Sequence, residues 1–71
     1  MSNKLENDQV EFEGCIAVAE SASKLALAIV INGRREWVPC SVIHDDSEVY
    51  KVGDRGTLVI PAWFAMEKKL I

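Results

Sequence analysis

Five consecutive residues, His44-Asp45-Asp46-Ser47-Glu48, bring together an imidazole, three carboxylates and a hydroxyl, with Cys40 and Ser41 a few positions upstream. Acid–base catalysis, a nucleophile–histidine–acid relay and a metal site are all built from such groups. Their spacing argues against each. Calcium loops alternate their ligands around a glycine, and here no glycine stands at the needed position and no second acidic cluster occurs. A zinc site wants several His or Cys ligands, and the chain has one histidine. Neighbours in sequence rarely supply the geometry of a catalytic triad, and a chain of 71 residues lacks the bulk for a deep pocket. A polar loop accounts for the stretch better. Ser41, two residues after Pro39, can cap a helical turn through Val42, Ile43 and His44. Asp45, Asp46 and Ser47 can cap backbone N–H groups in the turn that follows. Val42, Ile43, Val49 and Tyr50 would hold the loop against a core. The expectation is a chain with no catalytic residue, no metal site and no cofactor.

The elements that would position this loop are mainly strands. Residues 1–9, MSNKLENDQ, are polar and aperiodic and read as a mobile tail. In VEFEGCIAVAE, Val10, Phe12, Ile16 and Val18 share one parity and Glu11 and Glu13 the other, the period of a strand. Gly14 falls on the apolar parity and marks a bend or bulge. Ser21-Ala22-Ser23 is a short loop, and Lys24 to Ile31 form a second strand. Asn32-Gly33 is a hairpin-turn dipeptide. The third strand, RREWVP, ends at Pro39. The polar loop then runs to the turn signal Gly53-Asp54-Arg55-Gly56, and Thr57 to Ile60 form a fourth strand. Pro61 suits the first turn of a helix, predicted over Ala62–Ile71 with Trp63, Met66 and Leu70 on one face. Lys68 and Lys69 fall where the helix dipole favours cations. The architecture that follows is residues 10–71 as one domain: a mainly β meander of four to five strands, curled into a small SH3-like or OB-like barrel, with one short C-terminal helix.

Composition narrows the function classes. A hydrophobic fraction of 49% is high for a single small domain, and that apolar surplus points to a subunit interface. A net charge of −3 and a pI near 5.0, with no block of like charges, oppose binding to a nucleic-acid backbone. Cys15 and Cys40 match no zinc or redox spacing and read as free thiols in a reducing, cytoplasmic setting. The longest apolar run, Leu25 to Ile31, suits a strand and is far too short to span a membrane.

Two surfaces stand out as candidates. The outward parity of the first two strands holds Cys15, Ala17, Ala19, Ala26, Ala28 and Val30, a smooth small-residue patch of the kind that forms an oligomer interface. The C-terminal helix, lying over this patch within the monomer, is the alternative. Trp37 depends on hairpin register, because a one-residue slip exchanges the two faces of a strand. With a two-residue turn it opposes Ala28 on the smooth face. With a three-residue turn it opposes Leu27 in the core, which general burial tendencies favour. An exposed Trp37 beside Arg35 would make a stacking or docking platform. The candidate ligand-binding residues are Arg34, Arg35, Trp37, His44, Lys68 and Lys69.

The string W-V-P-x-S-x-I-H-D-D-S-E-V-Y, then G-D-x-G-x-L-V-I-P-x-W-x-A, then K-K-L, resembles a loose group of small phage, prophage and bacterial proteins. In that group the text tends to be W-I-P-K-S, then D-x-G-x-L, then W-x-A-x-x-K-G-L. The resemblance covers about residues 24–71. This chain departs from it at Cys40, where the group often has Lys, and at Lys69-Leu70, where an intervening Gly is missing. The resemblance implies a phage-type accessory protein that acts by binding a host or phage protein in the host cytoplasm. A nucleic-acid or nucleotide binder of the small-barrel kind is the second expectation, and an enzyme a distant third.

Overall fold

The computed structural model describes residues 8–71. Residues 1–7 of the expected tail lie outside the described residues. Asp8 and Gln9 belong to the fold: the Asp8 carbonyl accepts from the Ala62 N–H at 2.9 Å, and Gln9 opens the first strand.

Local chemistry sets the strand ends. β1 is Gln9–Glu20, β2 Ala26–Ile31 and β3 Arg34–Pro39. Between β2 and β3, Asn32 and Gly33 both have positive φ, 52° and 80°, as a two-residue type I′ turn requires. Between β1 and β2, the Ser21 hydroxyl accepts from the N–H groups of Leu25 and Ala26. Lys24 itself turns the chain with a φ of 64°, so β2 starts at Ala26 and not at Lys24, and Leu25 is 70% exposed.

β4 is Arg55–Pro61. The strands form one antiparallel sheet in the order β3-β2-β1-β4. The class is the expected one, mainly β with a C-terminal helix, but the topology is not a simple meander. β4 returns to lie beside β1, the order of a Greek key. The connection over residues 40–54 is too long for a hairpin, and it carries the chain from one edge of the sheet to the other. The ladder stays open between β3 and β4, and the connection covers the core between them. There Val49 is fully buried, with Val42 and Ile43 packed against the same cluster.

Two irregularities in β1 decide which side chains enter that core. Phe12 pairs with Leu58 and Cys15 with Gly56, so β1 holds one residue more than β4 over this interval. Gly14 supplies the bulge with φ +71°, a conformation L side chains rarely adopt. A second extra residue, Val18, falls where Ala17 pairs with Ile29 and Ala19 with Ala28. Parity therefore reverses twice. Cys15 and Ala17 enter the core, while Ile16 and Val18 leave it. The expected smooth patch is corrected accordingly: Ala19, Ala26, Ala28 and Val30 share the outer face, and Cys15 and Ala17 do not. Both thiols are free. Burial pushes the Cys15 thiol above its ordinary range.

The helix α1 is Ala62–Glu67, with Pro61 as its N-cap, one position before its expected place. It is shorter than the predicted span because the chain reverses at Lys69, whose φ is 60°. The Leu70 N–H then donates to the Ala65 carbonyl at 2.8 Å and the Lys69 N–H to the Met66 carbonyl at 3.0 Å, a Schellman motif. The reversal returns Leu70 to the core beside Phe64 and Ala65. Trp63 and Met66, expected on one face with Leu70, are exposed, whereas Leu70 packs against the core. A lysine in the left-handed region at this position is strained. Lys69→Gly should raise stability by about 0.5–1 kcal/mol, after allowance for the added freedom of the unfolded chain, as measured by urea denaturation.

Candidate functional site

The polar cluster is spent largely on holding the loop to β4. Ser47 is 6% exposed, the one buried polar side chain among the described residues. Its Oγ accepts from the Val59 N–H at 2.7 Å and donates to the Val59 carbonyl at 3.1 Å. The His44 N–H also donates to the Val59 carbonyl, and the Glu48 N–H to that of Thr57. The Glu48 carboxylate accepts from the Thr57 N–H at 2.8 Å. The segment 44–48 thus lies along the free edge of β4 much as a fifth strand would, with Ser47 Oγ standing in for backbone groups.

The remaining groups of the cluster turn the loop. His44 Nδ1 accepts from the Asp46 N–H at 3.0 Å, which assigns the neutral ring to the Nε2–H tautomer. Asp46 Oδ2 lies 3.6 Å from Nδ1. The Tyr50 hydroxyl donates to the carbonyls of His44 and Asp45, and Asp54 Oδ2 accepts from the N–H groups of Tyr50 and Lys51. Tyr50 is itself half exposed, not tucked in as expected. Ser41 makes no capping bond: the short 3₁₀ turn is Cys40–Val42 and Pro39 precedes it. Ser47 and His44 Nδ1 are committed to backbone groups and so do not pair with each other. No group of three or more His, Cys, Asp or Glu placed to hold a metal ion occurs among the described residues. His44 and Ser41 do border a cleft of about 340 Å³, with Gln9, Val42, Pro61 and Trp63 among its other walls.

The six candidate ligand residues are not brought together. Trp37 pairs with Ala28, which settles the register in favour of the two-residue turn. The expected core tryptophan is therefore corrected: Trp37 stands on the outer face at 46% exposure, flanking the fully buried Ala28. The physical reason is the type I′ turn, which sets parity before side-chain burial can choose it. The Arg35 guanidinium lies 6.0 Å from the Trp37 ring centroid. Arg34 is on the opposite parity. It donates to the carbonyls of Lys69 and Lys68, closing the C-terminal end of α1, and pairs with Glu36 at 2.8 Å. Lys68 Nζ lies 5.7 Å from the Phe64 ring. Arg34, Lys68 and Lys69 thus gather at the helix end, away from Trp37.

Register shows what the outer face contains. Ile16 pairs with both Val30 and Arg55, and Val30 with Arg35. One row across the four strands therefore reads Arg35, Val30, Ile16, Arg55, and the neighbouring row Trp37, Ala28, Ala19. Beside Ile16 is a mainly apolar depression of about 350 Å³ bounded by Gly14, Arg55 and Gly56. Sequence reasoning placed Gly14 and the Gly-Asp-Arg-Gly turn but not their meeting on one face, which needs the β1–β4 register. α1 does not cover this face, because it packs into the core through Phe64 and Ala65.

No protein-family model matches the chain, and comparison with curated proteins and solved structures found no match. No helix among the described residues is long and apolar enough to cross a membrane.

Two outcomes follow for the loop. Ser47→Ala strips the Val59 N–H of its partner at a buried site, so it should cost about 1–3 kcal/mol in urea denaturation, with His44→Ala and Asp46→Ala costing less. Desolvation of the hydroxyl against the loop, aided by the Asp45 and Asp46 carboxylates, raises the Tyr50 pKa. The phenol should therefore titrate, by ultraviolet absorbance, above the ordinary value of about 10. Because the folded value exceeds the unfolded one, its contribution to stability is full below the unfolded pKa and is lost as pH rises through the folded one.

Proposed function

We propose that the chain is a small, non-enzymatic binding protein of the phage-accessory kind, acting in the host cytoplasm by docking a host or phage protein on the outer face of β1, β2 and β3. One observation carries this reading: the sheet face left uncovered by α1 carries a half-exposed tryptophan on its edge strand, beside a shelf of Ala19, Ala26, Ala28 and Val30. An aromatic anchor on a small-residue shelf is the makeup of an interface core, where a few large residues carry most of the binding energy. The Ser47 and His44 bonds support the non-enzymatic part, since they leave the polar cluster in a structural role. The phage-type resemblance supports the choice of partner class.

A second reading, nucleic-acid or nucleotide binding, is favoured by Arg35 against the Trp37 ring and by Arg55 on the same face. Stacking on an exposed aromatic with cations beside it is how small barrels hold single strands. Eleven carboxylates against eight Lys and Arg weaken this reading for long polymers.

The test uses wild type, Trp37→Ala and Trp63→Phe as baits in bacterial host lysate, with and without nuclease, read by mass spectrometry. A partner held by wild type and by Trp63→Phe after nuclease treatment, and weakened at least about 30-fold by Trp37→Ala, is the expected result. Capture that vanishes with nuclease would overturn it. So would saturable quenching of Trp37 fluorescence by micromolar oligonucleotide at about 150 mM salt, which would make the second reading the function.

A further inference from the structure

We infer that the outer face is self-complementary and takes a second copy of this chain, with Trp37 of each protomer seated in the Gly14–Gly56 depression of the other; this rests on the reading of that face as a docking surface.

A knob and a hole occupy the same face at opposite edges of the sheet. Trp37, on the edge strand β3, is the knob, 46% exposed. The hole, about 350 Å³, lies between β1 and β4 and is bounded by Gly14, Ile16, Arg55 and Gly56. Gly14 leaves it open by having no side chain. Gly56 lines it with backbone, since the space where its own Cβ would lie, 2.6 Å from Glu48 Oε1, is filled by that side chain, and its φ is +139°. Gly14 is held to glycine by its positive φ alone, since a Cβ at that position would meet nothing within 4 Å. A two-fold axis that carries one knob into the partner's hole carries the partner's knob into the first, so one contact implies the other.

Charge favours a second copy over a strongly charged partner. The face carries Arg35 and Arg55, and Glu11 and Glu13 are exposed on the adjoining stretch of β1. The two signs balance, so two copies can meet there although the whole chain is at −3. Arg55 at the rim of the hole also offers a cation to an entering indole ring, as Arg35 does within the protomer. Four strands at about 4.8 Å spacing and about six residues of length span roughly 14 by 20 Å. This is below the roughly 800 Å² per partner of a standard interface, so the dimer is a weak one.

Sedimentation velocity on purified protein between about 1 µM and 1 mM tests the inference, with wild-type mass expected to rise from 7.9 kDa toward twice that value. Trp37→Ala removes the knob. Gly14→Asn fills the hole with a residue that tolerates positive φ. Ile16→Asp, at a half-buried position outside the core, is the second hole variant. Each should weaken association at least about 10-fold while unfolding cooperatively. An equimolar mixture of Trp37→Ala with Gly14→Asn should regain mass, because the heterodimer keeps one intact knob and one open hole. A wild type that stays monomeric at 1 mM, or a mixture that stays monomeric, overturns the inference. Because Gly14→Asn retains Trp37, capture of a separate protein partner by this variant distinguishes loss of the dimer from loss of the docking surface.

Discussion

Two inserted residues in β1 govern this molecule. β1 runs through the middle of the sheet and pairs with β2 on one side and β4 on the other. Its two ladders share only Ile16, with β4 paired along residues 9–16 and β2 along residues 16–20. The bulge at Gly14 inserts a residue in the first, and the extra residue at Val18 inserts one in the second and restores the original parity before the strand ends. Between the two, the sheet exchanges its faces. Cys15 and Ala17, small enough to sit under the crossing loop, go inward, and Ile16 goes outward toward Val30 and Arg55. Core composition, the hole on the outer face and the row of residues across the sheet all follow from this exchange.

The connection over residues 40–54 answers a second constraint. An edge strand leaves a row of backbone donors and acceptors open, and β4 would be such an edge. The segment 44–48 covers it, with Ser47 bonding both polar groups of Val59. A histidine-and-carboxylate cluster that resembles a reactive site by composition is thus occupied in shaping a turn and closing an edge. What remains free for binding lies on the other side of the chain's chemistry, on an apolar face with one aromatic.

Much of the fold was legible in the sequence. β3 ends where Pro39 said it would, Asn32-Gly33 makes the turn, and a single short helix follows Pro61. These features rest on local stereochemistry, which sequence states directly. The candidate site was less legible. Val10, Phe12, Ile16 and Val18 share a parity on paper, and only the positive φ of Gly14 separates the first pair from the second. Trp37 was drawn to the core by its size, whereas the two-residue turn had already assigned it outward. Arg34 and Arg35 are adjacent in sequence yet face opposite ways, one to the helix end and one to the tryptophan. In each case the missing information was a pairing between distant segments, above all that of residues 9–16 with residues 55–61.

That pairing also sets an order of events during synthesis. β1, β2 and β3 can form from adjacent hairpins as soon as they are made. The far edge of β1 has no partner until β4, seven residues near the C-terminus, has been added and the intervening loop has swung across. Through that interval a long central strand, apolar at Val10, Phe12 and Ile16, stands with its donors and acceptors open. Non-local closure of this kind is slow and leaves nascent chains prone to pair with one another. Glu11 and Glu13 place two exposed charges on that same stretch of β1, the kind of residue that opposes such pairing.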